Sequence, residues 1–238
     1  MIRAVFFDWY STLANIDGPR SDQYTKVFRD LGIEILPEKA ARGILRADEY
    51  LTSEEERLPL AARSREERMD IYIIYPRMIL DEAGIRGRED VAVAIRDRMR
   101  ELRKEPRPVS IPSLFTDVLP AVKALKDRGI LLGVISNASR ELSRHCQEVG
   151  LMSYLDVVLT SQEVGARKPE PLIFLTALNK INIPAAEAIF VGDQYKADVQ
   201  GARGAGMNPV LLDRFDLYPH ITDCPRICSL SELILYLQ

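Results

Sequence analysis

The second half of the chain alternates short apolar runs with amphipathic segments, and this alternation restricts the fold more than any other feature. Four runs have the length and the branched residues typical of buried strands: Ile130–Ile135, Val157–Leu159, Ala188–Val191 and Pro209–Leu212. Four stretches carry apolar residues at helical spacing: Val118–Arg128, Arg140–Val149, Pro171–Lys180 and Ala197–Ala205. Strands that alternate with helices form βαβ units, which predicts a parallel sheet covered by helices.

The N-terminus adds one more apolar run, Ile2–Phe7, which ends directly at Asp8. A continuous apolar run of this length is typical of a strand that is buried on both faces of a parallel sheet. Open α/β sheets bind their ligands outside the carboxyl ends of the strands. The sequence therefore predicts that Asp8 lies at the ligand-binding edge of the sheet.

The chain between residues 19 and 106 has a different character. Strand-like runs nearly vanish, and Pro37–Arg57 and Ser64–Ala83 carry apolar residues at helical spacing. Three prolines between residues 106 and 112 then mark a linker. We therefore predict an α/β fold with a Rossmann-like parallel-sheet core, residues 1–18 and 107–238, and an inserted all-helical domain, residues 19–106.

Charge and composition exclude several kinds of partner. The net charge is −3 and the pI about 5.6, so the chain has no basic excess for binding nucleic acid. No apolar run reaches the roughly 20 residues that span a bilayer. Three cysteines without a framework spacing suit a reducing compartment, and we expect a cytoplasmic protein. The apolar run Ile71–Tyr75 belongs either to the core of the helical domain or to a homodimer contact, which leaves monomer and homodimer open.

Polar residues follow the predicted strands. Asp8 can attack phosphorus or carbon as a nucleophile, and Thr12 can donate a hydrogen bond from the same turn. Ser136 and Asn137 follow a strand and can hold the oxygens of a phosphoryl group or of a carboxylate. All these residue types are also common in turns and helix caps, so each signal is weak when taken alone.

Two further motifs carry charge. Lys168 precedes Pro169 in a predicted loop, where its ammonium can neutralise a nucleophile and an anionic substrate; an isolated loop lysine is more often solvated. Asp193 follows the strand Ala188–Val191, and Asp198 lies in the next turn. Two carboxylates in this arrangement suit a hard cation such as Mg²⁺, or else a turn and a helix cap.

The order of these motifs resembles that of the haloacid dehalogenase superfamily. The four motifs of that family correspond to Asp8-x-x-x-Thr12, Ser136, Lys168-Pro169 and Gly192-Asp193-x-x-x-x-Asp198. The stretch from residue 161 to residue 171 is close to a typical third-motif segment of the family. The resemblance covers the predicted core. The helical segment lies where the family has its helical cap, although no motif within it can be matched.

The resemblance implies a hydrolase in which Asp8 is the nucleophile, while Thr12, Ser136 and Lys168 stabilise the transferred group. The implied ligands of Mg²⁺ are three carboxylates and one main-chain carbonyl, from Asp8, Tyr10, Asp193 and Asp198. The implied substrate-binding residues of the core are Tyr10, Ser136 and Asn137. The substrate is expected to be a small phosphorylated metabolite, which cap residues would select. The candidate selectors are Arg46, Tyr50, Arg57 and Arg63.

The first motif departs from the pattern of the family's phosphatases. These enzymes usually carry a second Asp two residues after the nucleophile, as general acid and then base; here that residue is Tyr10, followed by Ser11 in place of Gly. A phenol has a pKa near 10 and is a poor base at neutral pH. Loss of general acid–base catalysis costs about 10²–10⁴-fold in rate. Tyr at this position resembles the 2-haloacid dehalogenases, whose halide product leaves without a proton.

The fourth motif favours the opposite conclusion. Dehalogenases of this kind work without a metal and typically replace the Gly-Asp pair, whereas this chain keeps Gly192 and Asp193. They also tend to have Tyr where this chain has Phe174. Mg²⁺-dependent phosphoryl transfer is therefore the favoured prediction. Hydrolysis of a carbon–halogen bond, and a catalytically degenerate binding protein, are the two alternatives.

Overall fold

The computed structural model describes residues 1–15, 17–102, 113–137 and 141–237. The chain forms two compact units, Met1–Ile16 with Ile111–Gln238, and Asp17–Ser110. The unit boundaries lie within a few residues of the predicted domain boundaries. The predicted proline linker falls within residues 103–112, which lie outside the described residues. No helix in the described part of the chain is long and apolar enough to cross a membrane.

A parallel six-stranded sheet forms the centre of the first unit, which confirms the predicted α/β class. The described strands are, in chain order, β1 (Ala4–Phe7), β2 (Ala14–Asn15), β3 (Ser113–Leu114), β4 (Leu131–Ser136), β5 (Val157–Thr160), β6 (Ala188–Gly192), β7 (Asn208–Leu212) and β8 (Arg226–Ile227). The sheet has the order β5-β4-β1-β6-β7-β8, and β2 pairs with β3 in a separate antiparallel ribbon. The first strand of the chain thus lies between two strands from after the insertion.

The register of the sheet brings three strand ends together. Phe7, the last residue of β1, is opposite Val134 in β4 and Val191 in β6. All three strands run parallel, so the residues that follow them emerge at one edge of the sheet. The predicted site residues Asp8, Ser136 and Asp193 occupy these positions, at or directly beyond the strand ends.

The helices of the described residues are, in chain order, α1 (Asp17–Asp30), α2 (Pro37–Arg57), α3 (Arg65–Ile71), α4 (Ile74–Glu82), α5 (Glu89–Leu102), α6 (Val118–Lys126), α7 (Leu142–Glu148), α8 (Ser161–Val164), α9 (Pro171–Ile181) and α10 (Gly201–Gly204). Both faces of the sheet are covered. Side chains alternate along β1, so Val5 and Phe7 pack with α6 and α7 on one face. Ala4 and Phe6 pack with α9 and α10 on the other face.

The second unit contains α1 to α5 around its own apolar core, as predicted for an all-helical domain. Ile73 and Tyr75 are buried in this core, which agrees with the first of the two interpretations of the run Ile71–Tyr75. Helices α2 and α4 approach closely at Gly43, where a Cβ would lie 2.6 Å from the main chain of Ile79. A larger residue at position 43 would therefore push these two helices apart.

Some helix boundaries differ from the predictions. The stretch Ser64–Ala83 is divided into α3 and α4, because Pro76 has no N–H with which to continue the helical hydrogen bonds of the preceding turn. The predicted helix Ala197–Ala205 instead begins at Tyr195 with a turn of π geometry, Tyr195–Gln200, and continues as α10. Residue 140, the predicted start of α7, lies outside the described residues.

Candidate active site

Asp8 lies at the carboxyl edge of the sheet, where its main chain is hydrogen-bonded to the neighbouring strand β6. Its main-chain N–H donates to the carbonyl of Val191 at 2.8 Å, and only 8% of the residue is exposed. A main-chain hydrogen bond closes the turn that follows Asp8: the N–H of Ala14 donates to the carbonyl of Trp9 at 2.8 Å. Within this turn Ser11 adopts a φ of 60°, a left-handed conformation that non-glycine residues rarely adopt.

Lys168 is buried beside Asp8, with 3% of the residue exposed. Its Nζ donates to Asp8 Oδ1 at 2.5 Å and to Asp198 Oδ1 at 2.6 Å. The same ammonium lies 5.2 Å from the centroid of the Phe190 ring, a distance that allows cation–π attraction. The interpretation of Lys168 as a solvated loop lysine is therefore wrong, because its charge is buried between two carboxylates.

Asn137 fixes the main chain that carries Lys168. Its Nδ2 donates to the carbonyl of Lys168 at 3.0 Å, and its Oδ1 accepts from the N–H of Lys168 at 2.8 Å. Both polar ends of the amide are thus engaged by one residue. The substrate-binding role that the sequence predicts for Asn137 stays a prediction; the contacts of its amide in the structure are with the main chain of Lys168.

Asp198 joins the fourth motif to Lys168. Its Oδ1 receives the lysine ammonium, and its Oδ2 accepts from the N–H of Gln194 at 2.9 Å. Gly192 allows this carboxylate to come so close, because a Cβ at position 192 would lie 2.2 Å from Asp198 Cγ. The alternative role of Asp198 as a helix cap is not observed, since the residue before the π turn is Gln194.

Asp193 completes a group of three carboxylates. Thr12 Oγ1 donates to Asp193 Oδ1 at 3.2 Å, which links the first and fourth motifs. Asp8, Asp193 and Asp198 each offer an oxygen within 4.8 Å of the others. Carboxylate oxygens at this spacing are suitable ligands for a hard divalent cation.

The electrostatics of the group are set by burial and by one cation. Burial, partly opposed by the attraction of Lys168, raises the pKa of Asp8 to about 6, and the nearby Asp198 charge adds to the rise. Burial alone would lower the pKa of Lys168, but Asp198 and Asp8 outweigh this effect and raise it. At neutral pH the lysine is therefore charged, and it pairs with both Asp8 and Asp198.

The two remaining predicted core residues also lie near this edge. Ser136 is the last residue of β4 and is buried, opposite Thr160 of β5 in the sheet. Tyr10 is half-buried, two residues after Asp8, and its ring centroid lies 6.4 Å from that of Trp9. All four motifs thus meet at one edge of the sheet, as their order in the sequence predicted.

The four candidate selectors belong to the helical unit. Tyr50, Arg57 and Arg63 line an open cavity of about 290 Å³ within the helical unit. Arg63 is buried there and donates to Glu54 Oε2 at 3.0 Å, while Arg57 donates to the same oxygen at 2.8 Å. Arg46 instead pairs with Glu82. Charge pairing inside the unit thus engages all three arginines.

A buried carboxylate paired with a buried ammonium, beside a group of carboxylates at the edge of a parallel sheet, is an arrangement typical of hydrolases. The family model of haloacid dehalogenase-like hydrolases matches residues 2–206, and the chain belongs to this family. The resemblance seen in the four motifs is confirmed, and the protein is a hydrolase.

Similar proteins differ in the reactions that their names describe. Haloacid dehalogenase-like hydrolase domain-containing protein 3 of Danio rerio is 26% identical over all of this chain and 97% of its own. Phosphoserine phosphatase of Thermus thermophilus is 34% identical over 58% of this chain and 51% of its own. The crystal structure of 2-haloacid dehalogenase from Pseudomonas syringae pv. tomato DC3000 superposes with a TM-score of 0.57, at 25% identity, over 100% of this chain and 98% of its own.

Proposed function

We propose that this protein is a Mg²⁺-dependent phosphatase that acts on a small phosphorylated metabolite, with Asp8 as the nucleophile. The observation that carries the proposal is the convergence of Asp8, Asp193 and Asp198 within 4.8 Å of one another, with the buried ammonium of Lys168 paired to Asp8 and Asp198. A relative that is named phosphoserine phosphatase supports the same reaction class.

The donor set fits Mg²⁺. Its carboxylate oxygens are hard ligands, and the three carboxylates outnumber the one ammonium by two charges, which a divalent ion would balance. Asp8, Asp193 and the carbonyl of Tyr10 would hold the ion. Asp198 lies in the same group, but its two oxygens already accept from Lys168 and Gln194, which supports a positioning role. When bound, the ion would neutralise negative charge on the phosphoryl oxygens.

The residues of the chain divide the work of the reaction. One carboxylate oxygen of Asp8 attacks phosphorus, a new O–P bond forms, and the bond to the ester oxygen breaks with its electron pair leaving on that oxygen. Lys168 and Ser136 stabilise the charge of the equatorial oxygens, and Thr12 holds Asp193 in position. Water then attacks phosphorus and releases phosphate and the free Asp8 carboxylate.

Tyr10 determines which leaving groups are favoured. The phenol stands where a carboxylic acid would otherwise protonate the leaving oxygen, and at neutral pH it is a poor base for activating water. We therefore expect good substrates to be phosphates whose leaving group needs no proton, such as aryl and acyl phosphates. Alkyl monoesters would be slow, and so would the hydrolysis of the aspartyl-phosphate.

A second candidate function, hydrolysis of a carbon–halogen bond, is favoured by the same residue. A halide leaves without a proton, so Tyr10 is no handicap in that reaction, and one similar structure is named 2-haloacid dehalogenase. Asp193 separates the two candidates, because a second carboxylate in a cation site contributes nothing to a halide displacement that needs no metal.

The test measures phosphate release from p-nitrophenyl phosphate with and without Mg²⁺, and chloride release from 2-chloropropionate in parallel. Phosphate release that needs both Mg²⁺ and Asp8, with Asp8→Asn as the inactive control, would support the phosphatase. Chloride release that depends on Asp8 but persists in EDTA and in Asp193→Asn would establish the dehalogenase instead. If neither phosphate nor chloride is released, a binding protein is the remaining candidate.

A further inference from the structure

Arg214, which no sequence motif marks, reaches the turn that follows the nucleophile. The residue lies beyond β7 and beyond the part of the chain that the family model matches. Its Nη2 donates to the main-chain carbonyl of Thr12 at 3.0 Å. Thr12 is also the residue whose hydroxyl donates to Asp193. A single arginine thus fixes the main chain of the residue that joins the first and fourth motifs.

The guanidinium of Arg214 is itself held in one orientation. Nη1 and Nη2 donate to the two oxygens of Asp117 at 2.8 and 2.9 Å, and the guanidinium carbon lies 4.2 Å from the centroid of the Phe115 ring. Only 12% of the arginine side chain is exposed. A bidentate pair combined with ring stacking defines both the position and the plane of a guanidinium, which a lysine could not reproduce.

Asp117 connects this arginine to the C-terminal segment. Its Oδ2 also accepts from the hydroxyl of Ser229 at 2.8 Å and from the N–H of Leu230 at 2.9 Å. Four donors therefore fix one carboxylate, and hydrogen bonds and the charge of Arg214 lower the pKa of Asp117 despite its partial burial. Because its pKa is lowered, the carboxylate is ionised at neutral pH and can anchor Arg214.

The contacts of Arg214 involve both chain segments that lead into and out of the insertion. Strand β2 follows Thr12, and β3 returns from the helical unit to pair with it, with Ala14 opposite Leu114. The N–H of Phe115 donates to the carbonyl of Leu13 at 3.1 Å. Arg214 contacts both segments, at the carbonyl of Thr12 and at the ring of Phe115.

We propose that Arg214, oriented by Asp117, is a positioning residue that holds Thr12 in the geometry required by the metal ligand Asp193. The proposal rests on the proposed function in one respect, namely that Asp193 binds the cation. Removal of the guanidinium should loosen the turn that contains Thr12. A displacement of about 1 Å of a group that positions a catalytic element can lower activity about a hundredfold.

The experiment compares Arg214→Met with a matched control, Arg226→Met. Arg226 also follows β7 and pairs with two carboxylates, Asp213 at 2.8 Å and Asp216 at 2.9 Å, but it has no described contact with Thr12. Trp9, the single tryptophan of the chain, is buried beside Asp8, so its fluorescence reports on this turn. Each variant is measured for Tm, acrylamide quenching of Trp9, the Mg²⁺ concentration for half-maximal activity and kcat with p-nitrophenyl phosphate.

We expect Arg214→Met to increase the quenching of Trp9, to raise the Mg²⁺ requirement and to lower kcat about a hundredfold. Arg226→Met should have a lower Tm but show none of these three changes. Arg214→Lys keeps a charge for Asp117 and should fold even if Arg214→Met does not, yet it should show the same defects in smaller measure. In a Thr12→Val background the effect of Arg214→Met on the Mg²⁺ requirement should be much reduced, since Arg214 acts on Asp193 through the hydroxyl of Thr12, which valine lacks.

The proposal is overturned if the Arg214 variants match Arg226→Met in Trp9 quenching and, at equal Tm loss, in their Mg²⁺ requirement. Additive effects of Arg214→Met and Thr12→Val on the Mg²⁺ requirement would also overturn the proposal. If the wild-type protein releases no phosphate from any ester, the proposed function fails, and the quenching of Trp9 still decides whether Arg214 fixes the turn.

Discussion

Gly192 lies against the side chain of Asp198 so closely that a Cβ on the glycine would be 2.2 Å from the carboxylate carbon. Asp198 in turn holds the ammonium of Lys168 at 2.6 Å. The absence of a side chain at position 192 therefore determines where the buried cation of the site lies.

Gly192→Ala should displace Asp198 and, through it, Lys168. We expect a loss of about 1–3 kcal/mol in the free energy of unfolding, typical of overpacking, together with a large loss of activity. Gly204→Ala is the control, because the nearest atom to its added Cβ is 3.9 Å away, in Pro171. Urea unfolding and activity would be measured for both variants. Equal behaviour of the two would contradict the steric argument.

Lys168→Met should leave two carboxylates buried without their shared cation. Breaking a buried ion pair from one side costs about 3–5 kcal/mol, and activity should fall below detection. The loss of stability should be larger at pH 8 than at pH 5, because the pKa of Asp8 rises further without the lysine and its ionisation then opposes folding. Lys126→Met removes a partly exposed pair with Asp156 and should have little effect on stability or activity.

The affinity for Mg²⁺ should depend on pH through Asp8. Its pKa is raised to about 6, so a proton occupies the carboxylate below this pH and competes with the cation. We expect the apparent affinity to rise about tenfold per pH unit up to about pH 6 and to level off above it. A raised carboxyl pKa also means that the metal-free protein loses stability as the pH rises from about 4 to about 6. Titration of Trp9 fluorescence with Mg²⁺ at several pH values tests the first trend, and urea unfolding of the metal-free protein at the same pH values tests the second. An affinity or a stability that does not change with pH would contradict the corresponding trend.

Tyr10→Asp should restore an acid and base where the phenol now stands. Turnover of alkyl phosphates should rise, by up to the 10²–10⁴-fold range that general acid–base catalysis typically contributes, while aryl phosphates should gain less. Tyr10→Phe is the matched control and should leave both rates near those of the wild type. No gain with alkyl phosphates would remove the support for our account of the first motif.

Ser11→Gly should stabilise the protein. Ser11 has a φ of 60°, and a left-handed conformation costs a residue with a Cβ roughly 1–2 kcal/mol. Glycine adopts this conformation without that cost, so Tm should rise. Ser11→Val should lower Tm clearly, since a β-branched residue is least tolerant of a positive φ. The order of the three melting temperatures is the test.

Much of the fold could be predicted from the sequence, because the strands of the main sheet are short apolar runs bounded by polar turns. Helix α2 begins and ends where its periodicity indicated, at Pro37 and Arg57. The ribbon of β2 and β3 and the edge strand β8 could not be predicted, since each strand has two residues and thus no periodicity. The break before α4 had a visible signal in Pro76, which the apolar spacing around it obscured.

The candidate site could be predicted only in part. The order of the motifs indicated that Asp8, Ser136, Lys168 and Asp193 meet at one edge of the sheet, and the structure brings them there. The engagement of Asn137 by the main chain of Lys168 depends on two loops that lie 31 residues apart, so no local pattern marks it. The contact of Arg214 with Thr12 spans 202 residues and is equally invisible in the sequence.

The central place of β1 has a consequence for the order in which the chain folds during synthesis. This strand is made first, but β6, one of its two neighbours, ends only at Gly192. At about 5–20 residues per second, β1 waits roughly ten to forty seconds for this partner. The helical unit draws its contacts from one continuous segment, so it can fold earlier. Until β6 is made, one edge of this apolar strand has no partner on the ribosome, and chaperones are expected to bind it there.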